Sequence, residues 1–167
     1  MNHQPDLLWF KNRNTTNNFE VRDSTRGTGK GGLRLDDDAV EGDDATRITS
    51  FDSDGFSTGA NPSAGINYSG TTYVAWNWKA GGTGVSNGDG SITSTVSANT
   101  TAGFSVVTYG GNSTAGATVG HGLGVVPDMV IVKNRTGSSG FQNWGVYHSS
   151  LLNTQAVFLN TTGAVTA

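Results

Sequence analysis

The densest chemistry in this sequence is an acidic run, Asp36–Asp44, which holds Asp36, Asp37, Asp38, Glu41, Asp43 and Asp44. Closely spaced carboxylates are what calcium needs, because that ion binds through many oxygens at once. Asp36, Asp38, Asp43 and Asp44 are the candidate ligands. The spacing does not follow the EF-hand pattern, however, and neither does Asp52-Ser-Asp-Gly55. The competing expectation is a solvated loop of mutually repelling charges.

Other motifs fall short of the chemistry they suggest. Arg26-Gly-Thr-Gly-Lys-Gly-Gly32 looks like a phosphate loop, but such a loop needs Ser or Thr after its lysine and a helix beyond. Here Gly31 follows Lys30, Ser24 stands where the first glycine belongs, and no helical pattern follows. Gly120-His-Gly-Leu-Gly124 has the wrong spacing for a dinucleotide fingerprint. His3, His121 and His148 are too scattered for a zinc site. No Gly-x-Ser-x-Gly elbow is present, and no carboxylate pair or Ser-His-Asp set stands out. The expectation is a protein without catalysis and without a resident cofactor.

Aromatic residues are the remaining candidates for contact. Trp9, Trp76, Trp78 and Trp144 could stack on the apolar faces of sugars, but strand patterning assigns Trp9, Trp76 and Trp78 to a core. Tyr109, Phe141 and Tyr147 are better placed as surface contacts.

The elements that must position these residues are β-strands. Gly makes up 25 of 167 residues and charged residues 14%, the reverse of ordinary usage. Thr, Ser and Asn fill the gap, and they suit turns and exposed strand faces better than helices. Net charge is −3, so no basic stripe exists for nucleic acid. There is no cysteine, in keeping with folding in a reducing cytosol. No apolar run is long enough for a membrane helix, and the first residues carry no secretory pattern. The hydrophobic share of 34% implies a thin core, of the kind that small β-modules complete against a partner.

One stretch occurs twice. Pro5–Arg13 reads Pro-Asp-Leu-Leu-Trp-Phe-Lys-Asn-Arg, and Pro127–Arg135 reads Pro-Asp-Met-Val-Ile-Val-Lys-Asn-Arg. Pro, Asp, Lys, Asn and Arg match, at an offset of 122 (127 against 5). After a three-residue insertion, Phe19–Ser24 lies over Trp144–Ser149. Matching anchors around an apolar centre indicate a tandem repeat of a module.

Strands are expected at 7–13, 19–23 and 33–35, and a hairpin at 48–51 and 55–58 about Asp52-Ser-Asp-Gly55. In Thr71–Lys79, Val74, Trp76 and Trp78 alternate onto one face, which reads as core. Further strands are expected at 91–96 (an edge), 103–109, 125–132, 145–148 and 156–159. The fold class is all-β, an antiparallel β-sandwich of jelly-roll kind. The chain divides into a first module at 1–82, a linker or edge strand at 83–102, and an incomplete second module at 103–167. It reads as starting mid-module, either as a fragment of a longer array or as a permuted sandwich.

Together, Pro127–Arg135, Ser50-Phe-Asp-Ser-Asp-Gly-Phe-Ser57, Tyr73-Val-Ala-Trp-Asn-Trp-Lys-Ala-Gly-Gly82 and Gly88-Asp-Gly-Ser-Ile-Thr-Ser94 resemble a repeated β-rich module. That module occurs in virion structural proteins of tailed bacteriophages, especially tail-fibre-like proteins of marine and cyanobacterial phages. The resemblance covers nearly the whole chain. It implies a virion location after assembly in the host cytoplasm, contacts with other virion proteins, a homotrimer, and no assigned activity or site residues. The reading it favours is a tail-fibre or appendage segment presenting β-modules for host contact. A capsid decoration or cement protein and a carbohydrate-binding module for host surface polysaccharide are the alternatives.

Overall fold

Pro5 fixes the approach to the first strand, and an apolar run then carries it forward. In the computed structural model, which describes residues 2–60, 66–137 and 142–165, that run is β1 (Leu7–Asn12). There follow β2 (Glu20–Asp23), β3 (Leu33–Arg34), β4 (Ile48–Asp52), β5 (Gly55–Thr58) and β6 (Tyr73–Trp78). Then come β7 (Val85–Asn87), β8 (Ser94–Asn99), β9 (Phe104–Tyr109), β10 (Met129–Val132), β11 (Gly145–His148) and β12 (Val157–Phe158). The described residues are all-β, without helix, and their strands form four antiparallel sheets: β3-β2-β1-β6, β10-β11-β12, β4-β5 and β7-β8-β9.

β1 is central in its sheet and covered on both faces. Leu8 and Phe10 point into a core with Ile48, Phe51, Phe56, Ile66 and Ala75, so the β4–β5 hairpin lies over that face. Leu7 and Trp9 point the other way, toward Val21, Leu33, Leu35 and Trp144. Trp144 reaches this second core from the chain between β10 and β11, and its indole N–H donates to the Arg34 carbonyl. This explains why the apolar residues of β1 do not alternate with polar ones: each face has its own cover.

The sheet β10-β11-β12 pairs with the register of β3-β2-β1. Leu7 faces Asp23 and Phe10 faces Glu20, while Met129 faces His148 and Val132 faces Gly145. Val21 faces Leu33, and Val146 faces Val157. Local hydrogen bonds recur as well. Lys11 donates to the Asn17 carbonyl and Lys133 to that of Gln142. The Asn12 side chain accepts from Asn14 N, and Asn134 from Thr136 N. Asp6 O accepts from Ser24 N, and Asp128 O from Ser149 N. The identical Lys and Asn of the two stretches therefore share these side-chain bonds, and the identical Asp shares its backbone bond.

The surroundings differ. Leu8 is 0% exposed and its counterpart Val130 is 39% exposed. Burial alone would separate the two strands. The cause is that β1 has β6 along its second edge and β4–β5 over it, whereas β10 ends its sheet.

Two further expectations are corrected. The strand expected as an edge over 91–96 is instead central, because β8 lies between β7 and β9. The alternation of β8 is weak because two of its three buried residues, Ser94 and Ser97, are small and polar, Val96 being the third. The strand expected over 125–132 is confined to Met129–Val132, since Pro127 cannot donate to a ladder.

Leu8→Ala should cost about 2–5 kcal/mol, as for buried leucines. Val130→Ala, at the matching position, should stay within about 0.5 kcal/mol, as surface changes do. Urea unfolding of the two variants measures the contrast, and equal losses would contradict the difference in cover.

Candidate functional site

The acidic run is not a loop of free charges. Arg22 is buried and pairs with Glu20 and Asp44, while Arg47 also reaches Glu20 and Asp44. Lys30 pairs with Asp43 at 2.7 Å. Asp36 accepts from Phe19 N, a bond that Asn160 makes to Trp144 N at the corresponding place in the second hairpin. A neutral amide does the same work there, so the capping role at this position does not depend on charge. The Asp38 carbonyl accepts from Lys133. Asp36, Asp38, Asp43 and Asp44 thus serve separate local partners, and among the described residues no group of three or more His, Asp or Glu side chains could hold a metal ion. Cations on both sides of the run meet its carboxylates: Arg47 and Arg34 are near in sequence, three residues from Asp44 and Asp37, while Arg22 and Arg135 come from farther along the chain.

The glycine-rich stretch serves the same network. Arg22 donates to the Lys30 carbonyl and Arg26 to that of Gly31. Gly31 N donates to Gly42 O at 2.7 Å, which brings the two loops backbone to backbone. A Cβ at Gly31 would lie 2.7 Å from that oxygen, so glycine is required for the approach. This loop points carbonyls at arginines; a phosphate site would need N–H groups turned to an anion.

At the centre of the network, Glu41 takes Arg26 on one carboxylate oxygen and Arg135 on the other, each at 2.6 Å. Its backbone N–H also donates to the Arg135 carbonyl. Burial alone would push the Glu41 carboxyl up, but the hydrogen bonds and charges of Arg135 and Arg26 outweigh it and hold it below the ordinary glutamate range. Glu41 joins the β2–β3 loop to the end of β10.

The aromatic residues form a row across β1 and β6. Trp9 lies 5.8 Å from Trp76 and 6.1 Å from Trp78, and Phe19 meets Trp9 edge-on. Trp78 stacks on Phe104 of β9 at 6.4 Å. Trp144 is core, and Trp9, Trp78 and Val74 are half-buried, but Trp76 is 44% exposed. The expectation that Trp76 is core is therefore corrected. Alternation gave its face, but β6 is an edge strand and that part of the face has no cover.

Among the expected contact residues, Tyr109 is exposed at the end of β9 and Tyr147 is half-buried in β11 opposite Val130. Phe141 lies outside the described residues. His121 and His148 each accept a backbone N–H two residues on, a turn role.

Sequence reasoning missed β10 as a surface. Met129, Val130, Ile131 and Val132 are all exposed, as are Val125 and Val126 before them. Among the described residues, the side of β10 away from β11 carries no strand. Apolar side chains on an unpaired edge are the signature of an interaction surface.

A family described as a domain of unknown function, DUF7483, matches residues 1–167. No curated protein and no solved structure matches the chain.

Glu41→Gln removes the charge partner of Arg135 and one of the two carboxylates around buried Arg26, which keeps Asp23. It should cost about 1.5–3 kcal/mol at neutral pH, as for loss of hydrogen bonds to a charged group. A carboxylate with a depressed pKa stabilises the fold above its unfolded value and loses that contribution as pH falls through the folded one. The gap between variant and parent should be full above the ordinary value of 4.5 and close below it. Chemical unfolding across this range checks it, and a gap independent of pH would contradict the assignment.

Proposed function

We propose that this chain, which belongs to the DUF7483 family, is a structural segment of a bacteriophage virion, built from a repeated β-module in a tail fibre or appendage. The recurrence of one hairpin, in one register and with the same side-chain bonds, carries the reading. Repeats of this spacing serve extended assemblies. The thin core, the exposed apolar β10 and the phrases shared with virion proteins of tailed phages support it. In this reading the sheets stack as a sandwich, with β3-β2-β1-β6 between the β4–β5 hairpin and Trp144. Other virion proteins hold one end of the segment. Copies associate about a closed axis, as a trimer, which covers apolar surface without open-ended growth.

Glu41 gives the repeat a mechanical use. Arg135 is gripped by a loop of the preceding unit, while its counterpart Arg13 is exposed. Each further unit in an array would be clasped to the one before it in this way.

The exposed Trp76 favours a second reading, a carbohydrate-binding surface. Indole faces stack on sugar rings, and Trp76 stands beside Trp9 with room on its outer side.

Native mass measurement should give a trimer, and an antibody to the chain should label intact phage particles. A stable monomer that labels no particle would contradict the structural role. Trp76→Ala should cost about 1–2 kcal/mol, less than a buried tryptophan, since mainly its contact with Trp9 is lost. If the variant keeps its fold but loses retention on host polysaccharide, the carbohydrate reading replaces the structural one.

A further inference from the structure

We infer that the open edge of β10 is a docking site for one kind of partner, an antiparallel strand of the β6 type followed by a Lys-Ala-Gly-Gly turn. The inference rests on the repeat reading above and names the partner that reading leaves unassigned.

Two independent features of the first unit define the occupant. The first is the ladder. β6 runs along β1 with Leu7 facing Trp78, Trp9 facing Trp76 and Leu8 facing Asn77. Arg13 N donates to Thr72 O, so the odd-numbered residues of β1 turn their backbone groups to β6 and the even-numbered ones turn theirs to β2. In the second hairpin Asp128 O accepts from Ser149 N, so Met129 and Ile131 turn theirs to the open edge. Both side chains are exposed there, and in the first unit the matching positions lie beside Trp78 and Trp76. A strand with aromatic residues at alternate positions would satisfy the ladder and cover that face together.

The second feature is the carboxylate just before the strand. Asp6 is buried and accepts the backbone N–H groups of Ala80 and Gly82 at 2.7 and 3.1 Å. This fixes the end of β6 against the start of β1. Its other oxygen takes Ser24 Oγ and Gln4 Nε2. Asp128 holds the same place before β10, makes the same backbone bond to its second strand, and is exposed. A carboxylate there is suited to receive the turn that follows the incoming strand. Strand addition of this kind draws affinity from the main chain and selectivity from alternate side chains. The occupant is thus specified at both its strand and its turn.

The probe is a fluorescein-labelled synthetic peptide with the sequence of residues Thr71–Gly82, titrated onto the full chain. Saturable binding is expected, with none for a scrambled peptide. Asp128→Ala should weaken binding by about tenfold or more, the loss of two charge-assisted bonds. Because the chain has no cysteine, register can be read by disulfide trapping. Val130→Cys should trap a peptide carrying Cys at the Asn77 position and not one carrying it at Trp76. A second variant, with Ile131→Cys and Val146→Cys, reports the hairpin itself, because those residues face each other. If its disulfide forms while the peptide fails to bind, the docking inference falls and the repeat reading stands. If that disulfide does not form, both fall. Peptide binding that is indifferent to Asp128→Ala, or trapped out of register, overturns the inference too.

Discussion

The most deeply buried carboxylate, that of Asp6, ties the start of β1 to the end of β6. Asp6 sits in the interior with donors on both oxygens, two of them backbone N–H groups from the turn after β6. An unpartnered charge at such depth would be strongly unfavourable, so the arrangement holds only when the end of β6 lies against the start of β1. That contact makes β1 a central strand. Once it is central, its two faces must both be covered, and the β4–β5 hairpin and Trp144 cover them. The hollow lined by Gln4, Asp6, Lys79–Gly82 and Ala98–Thr100 has this carboxylate in its wall. The donors are already in place there, which gives the hollow a structural explanation.

Charge is scarce in the chain, and the structure concentrates much of it at one seam. Arg22, Arg26 and Arg47 from one side of the seam and Arg135 from the other converge on Glu20, Glu41 and Asp44. Isolated surface pairs contribute little, but here the side chains of Arg26 and Glu41 are buried and each has a second partner, Asp23 for Arg26 and Arg135 for Glu41, so the charges form a connected network. The seam is specific for that reason: it joins the β2–β3 loop to the second hairpin in one arrangement. The glycines beside it allow the loops to approach closely enough for their carbonyls to meet the guanidinium groups.

What the sequence revealed and what it hid divide along physical lines. The all-β class and the hairpin about Asp52–Gly55 were legible, because they follow from local turn chemistry and residue bias. The likeness of Pro5–Arg13 to Pro127–Arg135 was visible in their shared residues, of which Lys and Asn make matching side-chain bonds in the two stretches. Hidden were features that depend on what lies across space. Alternation gave the face of Trp76 but could not say that the edge of β6 leaves it open. The acidic run looked repulsive because some of its cationic partners, Arg22 for Asp44 and Arg26 and Arg135 for Glu41, are brought to it only by the fold. β8 looked like an edge because two of its three buried side chains are serines. The exposure of β10 was hidden by its apolar composition, which reads as core wherever a covering strand is assumed.

The central proposal is that the second hairpin is a repeat of the first and that, among the described residues, the edge of β10 has no partner strand. Amide hydrogen exchange of the isolated protein tests it most directly. Trp9 and Lys11 donate toward β6, so their amides should exchange only on opening of the sheet. Ile131, the counterpart of Trp9, should exchange orders of magnitude faster, while Val130 and Val132, which donate toward β11, should be slower than Ile131. An Ile131 amide as protected as that of Trp9 would mean that the edge of β10 is already filled, and would contradict the account.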